Sequence, residues 1–259
     1  MGDIAVTTGI FLVGASFFAG FVDSIAGGGG LIQLPALLIA LPKTETVTVL
    51  GTNKLASVFG TATAAGLYRR QIKPEPRVLI AMALPAFIGS AAGASLASRI
   101  PTSSMRPIVL ALLIIVAIYT WLKPDLGKIE VLRHHTTRRV QIATFSGILI
   151  GFYDGIFGPG TGSFLMLVLV ASLGYAFITA SAIAKVVNVA TNCGALIVFG
   201  IHGAIIWQIG LALGAANVAG AIIGSRLAIR GGSTLVRKVF LLVTFGLIIK
   251  VGIDTFQSF

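Results

Sequence analysis

The stretch Gly20–Pro35, GFVDSIAGGGGLIQLP, places one carboxylate and four consecutive glycines inside an otherwise apolar run. The same design returns at Gly151–Phe164, GFYDGIFGPGTGSF, where Asp154 stands in the position of Asp23. A carboxylate beside glycine-rich, unwound backbone is costly in hydrocarbon, and it is tolerated where the backbone lines a cavity or is buried in protein. The two stretches therefore predict the two halves of a pathway for a solute.

The composition predicts an all-α protein that crosses a lipid bilayer several times. Of the 259 residues, 56% are hydrophobic and 10% are charged, whereas an average soluble domain carries about 25% charged residues. The net charge of +11 comes mostly from short gaps between apolar runs, as the positive-inside rule expects of cytoplasmic loops. The interleaved basic and aromatic residues of a nucleic-acid surface are absent, so we expect no nucleic-acid partner.

Ten apolar runs mark the expected membrane segments. The first five fall at about residues 4–24, 27–41, 46–68, 78–98 and 104–122, and the other five at about 139–157, 160–173, 176–200, 204–229 and 234–253. Most of them reach the roughly 20 residues that cross about 30 Å of hydrocarbon. The runs that follow the two glycine stretches are shorter, which predicts strongly tilted spans or half-helices that re-enter.

The second half of the chain repeats the first half at a constant spacing. Asp154 lies 131 residues after Asp23, and Lys185 lies 131 residues after Lys54. The same shift relates Gly27 to Gly158, Gly89 to Gly220, Gly93 to Gly224 and Arg99 to Arg230. An internal repeat of this kind predicts a first transmembrane repeat over residues 1–122, a cytoplasmic linker over 123–138 and a second repeat over 139–259.

The number of segments in each repeat decides how the halves are oriented. Five segments would insert the second repeat upside down, and four would make the repeats parallel. With five, the basic stretches Arg69–Arg77, Lys123–Arg139 and Arg226–Lys238 share one side of the membrane. The positive-inside rule therefore favours two inverted repeats, with both termini outside and the linker in the cytoplasm.

Four charged side chains lie inside apolar runs at equivalent positions of the two repeats. Asp23 and Asp154 could couple transport to a proton, or they could cap backbone N–H groups of the glycine turns. Lys54 and Lys185 could neutralise an anion, pair with the aspartate of their own half, or extend towards water from near a helix end. All of these alternatives stay open at the level of sequence.

The glycine turns each precede an apolar helix, whose free N–H groups and positive dipole end favour an anion. The opposing interpretation is that the glycines only allow helices to cross closely, which we favour for Gly89, Gly93, Gly220 and Gly224. We predict that the substrate-binding residues are Gly27, Gly28, Gly29, Gly30, Asn53, Lys54, Gly158, Gly160, Thr161, Gly162, Lys185, Asn188 and Asn192. No motif indicates a nucleotide, a metal ion, a cofactor or a covalent nucleophile, so we expect no enzyme.

Taken together, the Gly20–Pro35 segment, the TNK sequence at 52–54, the mirrored Gly151–Phe164 segment and the basic linker resemble the sulfite exporter (TauE/SafE) family, which includes YfcA-type permeases. The glycine motif of that family corresponds to Ala26–Gly30 with Pro35, and more loosely to Gly158–Gly162. The second copy departs from the motif, because Met166 stands where the first copy has Pro35.

The resemblance implies a transporter of small sulfur-containing anions, such as sulfite or organosulfonates, in the bacterial inner membrane. We therefore expect a secondary transporter that works by alternating access, with proton coupling as one alternative. An anion channel and a transporter of another small anion, such as a carboxylate, are the competing hypotheses. The oligomeric state is open, and a homodimer is one alternative.

Overall fold

The computed structural model describes residues 6–99, 114, 118, 120–122 and 127–256, and it is helical with no strand among them. The all-α prediction is thereby confirmed. The first half contains α1 (Val6–Ala26), α2 (Gly30–Ala40), α3 (Thr46–Gln71) and α4 (Pro76–Leu96), followed by a 3-10 turn at Ala97–Arg99. The predicted run at 104–122 falls almost wholly outside the described residues.

The second half contains α5 (Thr136–Ile156), α6 (Thr161–Leu167), α7 (Phe177–Ile201) and α8 (Trp207–Phe256). α6 continues into a π-helical turn at Val168–Ser172. α8 is interrupted at Gly232, whose φ of 60° and ψ of −164° are not helical and suit a residue without a side chain. This break separates the two apolar runs that the sequence predicts in this region.

Four helices of the described chain are long and apolar enough to cross a membrane. Their ranges are Val6–Ala26, Pro76–Leu96, Phe177–Ile201 and Trp207–Gly246. The apolar helices after the glycine turns, Gly30–Ala40 and Thr161–Ser172, extend only about 16–18 Å at 1.5 Å per residue. They are shorter than the hydrocarbon core of a bilayer, as expected for half-helices. The predicted multi-pass membrane architecture is confirmed.

Helices of one half pack against helices of the other half, and the contacts come in equivalent pairs. α4 packs along α5, and α1 packs along α8. At these crossings, four glycines lie directly against a backbone carbonyl group of the neighbouring helix. The pairs are Gly89–Ile148, Gly93–Phe152, Gly220–Phe17 and Gly224–Phe21. A Cβ atom at any of the four would collide with the facing carbonyl. Close helix crossing is therefore the role of these glycines, as the sequence predicts.

The relative directions of the helices follow from the order of their contacts. Ser16 Oγ of α1 donates to the Leu213 carbonyl of α8 at 2.7 Å, and Gly20 one turn later lies against the Asn217 carbonyl. α1 and the first part of α8 therefore run parallel.

The equivalent helices α3 and α7 run antiparallel where they meet. Gly51 lies beside Phe199, while Asn192 Nδ2 donates to Thr61 Oγ1 at 3.4 Å. Thr61 and Asn192 are themselves related by the 131-residue shift. Their contact therefore joins equivalent positions of the two helices.

Candidate functional site

The two glycine stretches break the helices that precede them and then meet each other. Gly27 has a φ of 82° after α1, and Gly158 has a φ of 91° after α5, a left-handed conformation that glycine adopts without a steric penalty. Gly27 lies against Gly162, and Ser163 Oγ donates to the Ala26 carbonyl at 3.1 Å. Stretches far apart in sequence therefore form one site at the interface of the halves.

Two buried ion pairs cross this interface. Lys54 Nζ lies 2.6 Å from Asp154 Oδ2, and Lys185 Nζ lies 2.9 Å from Asp23 Oδ2. Each lysine thus pairs with the aspartate of the other half, and the alternative in which it pairs with the aspartate of its own half is ruled out. The lysine side chains are 3% and 0% exposed, so neither extends towards bulk water.

The exchanged pairing occurs where α1 ends beside α3 and α7. The Tyr68 hydroxyl of α3 donates to the Ser24 carbonyl near the end of α1 at 2.9 Å. Asp23 and Lys54 line the same small cavity. Even so, α7 places Lys185 Nζ 2.9 Å from Asp23 Oδ2, and α5 places Asp154 Oδ2 2.6 Å from Lys54 Nζ.

The two aspartates differ in their surroundings. Asp154 has a side chain that is 4% exposed, and it accepts a hydrogen bond from Thr161 Oγ1 at 2.7 Å. Asp23 is 16% exposed, and its Oδ1 faces the Gly29 N–H at 3.4 Å. Lys185 Nζ also donates to the backbone carbonyl of Asp23. Asp154 is thus the more deeply buried and more closely bonded carboxylate, while Asp23 has the geometry of a weak cap on a glycine turn.

A polar cavity of about 30 Å³ lies between the ion pairs and the glycine turns. This volume accommodates about two water molecules, so its walls must move apart to admit a polyatomic anion. The cavity brings together most of the residues that the sequence predicts for the site. These are Asp23, Gly27, Gly30, Lys54, Asp154, Gly158, Gly160, Thr161, Gly162, Asn188 and Asn192.

Four predicted residues do not line the cavity. Lys185 is fully buried behind Asp23, and the N–H of Gly29 faces the same carboxylate. Gly28 lies next to Gly29 in the same glycine turn, where its carbonyl accepts a hydrogen bond from the Leu31 N–H. Asn53 is buried, and its Oδ1 has no hydrogen-bond partner among the described residues.

Two cavity residues, Ser57 and Thr61, were not predicted. The 131-residue shift relates them to Asn188 and Asn192, which were. Lys54, Ser57 and Thr61 also follow the spacing i, i+3, i+7 along one helix face, as Lys185, Asn188 and Asn192 do. Applying the repeat to every predicted polar residue would therefore have found both.

The two ends of the described helices differ in how they are closed. A cavity of about 190 Å³ opens where α3 begins and α7 ends, with Phe199 in its wall. At the other end, the repeat equivalent of Phe199 is Tyr68, whose hydroxyl donates a hydrogen bond to the Ser24 carbonyl. The linker covers that end as well, because Val131 N donates to the Gly174 carbonyl at 2.9 Å and Phe177 N donates to the Gly127 carbonyl at 2.8 Å.

The polar groups of the site offer hydrogen-bond donors and paired charges rather than metal ligands. Within the described part of the chain, no group of three or more His, Cys, Asp or Glu side chains could hold a metal ion. The groups around the cavity that can donate hydrogen bonds are the Lys54 ammonium, the amides of Asn188 and Asn192, the hydroxyls of Ser57, Thr61 and Thr161, and backbone N–H groups of the glycine turns.

Comparison with known proteins gives matches along almost the whole chain. The family model described as "Sulfite exporter TauE/SafE" matches residues 12–251. "Probable membrane transporter protein ORF9" of Sinorhizobium sp is 40% identical over 256 residues, covering 98% of this chain and 96% of the relative. "Probable membrane transporter protein YfcA" of Escherichia coli K12 is 36% identical over 240 residues, covering 90% and 87%. No solved structure gives a significant match.

Proposed function

The chain belongs to the sulfite exporter TauE/SafE family and is a membrane transporter, and from this premise we propose that it moves a small sulfur-containing anion. Sulfite or an organosulfonate would cross the bacterial inner membrane by secondary, alternating-access transport. The observation that carries the proposal is the polar cavity lined by Lys54, set between two ion pairs that link the halves of the protein.

The donors around the cavity support an anionic substrate. Lys54 Nζ has Asp154 as its one partner among the contacts of the described residues, and that ion pair lies outside the angles of a regular hydrogen bond. The amides of Asn188 and Asn192 lie in the same wall. An oxyanion accepts several hydrogen bonds at once, and bonds from a charged donor are about twice as strong as neutral ones. The choice of sulfur rests on the family, because the same donors would suit a carboxylate.

The pairing of the halves supports alternating access. Inverted repeats with a site at their interface are typical of secondary transporters. The antiparallel contact of the equivalent helices α3 and α7, through Thr61 and Asn192, supports inversion. In our proposal each half contributes five segments, the linker is cytoplasmic and both termini lie outside. The larger cavity at one end and the hydrogen bond from Tyr68 to Ser24 at the other are consistent with a transporter that has one gate closed.

Coupling to an ion gradient completes the proposal. The sequence carries no nucleotide-binding motif, so the driving force would come from an ion, and a proton could be carried by Asp23 or Asp154. A channel fits less well, because the buried lysines are already paired and the central cavity has room for only about two water molecules.

Transport by purified protein in liposomes tests the proposal. Sulfite, an alkyl sulfonate, phosphate and acetate are compared at equal ionic strength, with protein-free liposomes as the control. We expect saturable uptake of at least one of the two sulfur compounds. Transport of acetate with no response to either of them would remove the substrate proposal, and unitary currents in planar bilayers would indicate a channel.

A further inference from the structure

We propose that Asp23 is the carboxylate that takes up a proton when the anion binds at Lys54, so that each monoanion is carried together with about one proton. This inference rests on the proposed anion site and names the ion coupled to it. It assigns different roles to two aspartates that the internal repeat makes equivalent. Three observations carry it: the charge balance of the site, the unequal burial of the two carboxylates, and their unequal hydrogen bonding.

The charges of the site cancel before an anion arrives. Lys54 with Asp154 and Lys185 with Asp23 form two neutral pairs, and none of the four side chains is more than 16% exposed. A monoanion added to this site would bring one negative charge without a partner. An unpaired charge removed from water is strongly unfavourable. A proton on one of the carboxylates restores neutrality.

The geometry points to Asp23 as the carboxylate that gives up its charge. Asp154 holds Lys54 at 2.6 Å and accepts from Thr161 at 2.7 Å, and neutralising it would loosen the lysine that receives the anion. Asp23 lies in the cavity wall, is more exposed, and has longer contacts of 2.9 Å and 3.4 Å.

Lys185 would stay in place when Asp23 is neutral. Its Nζ also donates to the backbone carbonyl of Asp23, and that acceptor does not depend on the charge of the carboxylate. The pair can therefore change its charge without releasing the buried lysine into an apolar environment.

The proton step forms and breaks only O–H bonds, between water and the Asp23 carboxylate. A proton passes from water in the access path to Asp23 Oδ1, whose described hydrogen bond is the 3.4 Å contact with the Gly29 N–H. It returns to water on the other side when the anion leaves Lys54. No other bond of the protein or of the anion is formed or broken.

The titratable groups around Asp23 are few among the described contacts. Lys185 reaches it from α7, and Lys54 and Asp154 face it across the cavity. Tyr68 of α3 interacts with it electrostatically while its hydroxyl is held by the Ser24 carbonyl. α2 and α6 contribute glycines and Thr161 to the cavity wall. The described crossing of α8 on α1 is made by glycine, at Gly220 and Gly224.

Proton uptake by the unmodified protein is the first test. Methanesulfonate is the probe, because it stays ionised and carries no proton of its own. It is added to purified protein in a lightly buffered solution, and both the bound anion and the change in pH are measured. We expect about one proton taken up for each anion bound. Binding without proton uptake would overturn the inference.

Transport by variants is the second test. Asp23→Asn preserves a side-chain oxygen for Lys185, and Glu130→Gln, in the exposed part of the linker, is the matched control. An inward proton gradient should accelerate uptake by the unmodified protein and by Glu130→Gln. We expect Asp23→Asn to lose this acceleration and still exchange labelled anion. An unchanged acceleration, or the loss of exchange as well, would contradict the assignment.

The failures of the two proposals are distinguishable. If the unmodified protein transports methanesulfonate or sulfite without moving protons, the coupling fails and the proposed function stands. If neither sulfur compound is bound or transported while phosphate or acetate is, the proposed substrate fails. Proton uptake on binding phosphate or acetate, corrected for the protons that the buffer and the anion exchange, then still tests the coupling, and its loss in Asp23→Asn tests the assignment. If Asp23→Asn does not fold, Asp23→Glu, which keeps a carboxylate for Lys185, replaces it, and proton uptake with the same pH dependence as in the unmodified protein would contradict the assignment.

Discussion

Lys54 of the first repeat lies 2.6 Å from Asp154 of the second, and the equivalent pair, Lys185 with Asp23, forms at 2.9 Å with the repeats exchanged. In the structure each repeat pairs its buried charges with those of the other. The energetic stability of the site is therefore tied to the interface between the halves, and any motion of one half against the other acts directly on both pairs.

Removing one partner of the buried pair should destabilise the protein more than removing both. Asp154→Ala leaves the Lys54 ammonium buried without a partner, which costs about 3–5 kcal/mol. Lys54→Met combined with Asp154→Leu should recover most of that stability, because no charge stays buried, yet it should not restore transport. Thermal unfolding in detergent, with Glu130→Gln as the control, measures the difference. A double variant as unstable as Asp154→Ala would contradict this account.

Both lysine variants should weaken anion binding while inserting normally into the membrane. Loss of a hydrogen bond from a charged donor costs about 1.5–3 kcal/mol, which is roughly 10- to 150-fold in affinity. We expect the larger loss in Lys54→Ala, because Lys54 lines the cavity and Lys185 is buried behind Asp23. Equilibrium binding of sulfite to purified protein measures both. Unchanged affinity in the two variants would leave the lysines as purely structural residues.

The proposed orientation in the membrane predicts which loops an impermeant thiol reagent reaches from outside. In a Cys193→Ala background, a cysteine at Ile129 of the linker should be protected in intact cells and labelled after the membrane is opened. A cysteine at His202, beside the larger cavity, should be labelled from outside. Labelling of position 129 in intact cells would overturn the inverted arrangement with external termini.

The close helix crossings predict opposite effects for two glycine-to-alanine changes. At Gly220 a Cβ atom would collide with the Phe17 carbonyl, whereas at Gly66 nothing lies within 4 Å. Gly220→Ala should therefore lower stability by about 1–3 kcal/mol through overpacking. Gly66→Ala should raise it by up to about 1 kcal/mol through helix propensity. Thermal unfolding of the two variants measured side by side provides the check, and equal effects would show that crossing distance is not limiting.

Much of this architecture is predictable from sequence because the repeat is ungapped. The 131-residue shift makes Gly27 equivalent to Gly158, and both adopt positive φ in the structure. It also makes Lys54 equivalent to Lys185, and Gly89 equivalent to Gly220 at the helix crossings. Apolar length separated the long helices from the two short ones, since the bilayer sets that length.

The pairing of charges was not predictable in the same way. A sequence repeat shows which residues are equivalent, but it does not show which of two equivalent lysines lies near a given aspartate. Asp23 lines the same cavity as Lys54 and yet pairs with Lys185, and only the packing of the helices around the cavity decides between the two lysines. The small volume of the cavity and the unequal closure of the two ends depend on side-chain packing, which an apolar pattern does not encode.

The exchanged contacts have the form of an isologous dimer interface, in which every contact occurs twice with the partners reversed. A chain of one repeat's length, carrying one lysine and one aspartate, would complete both ion pairs only by assembling with a second copy of itself. Joining the two copies end to end turns that association into folding. It also allows the two copies to differ, and the different surroundings of Asp23 and Asp154 are a difference that a symmetric dimer of identical chains could not have.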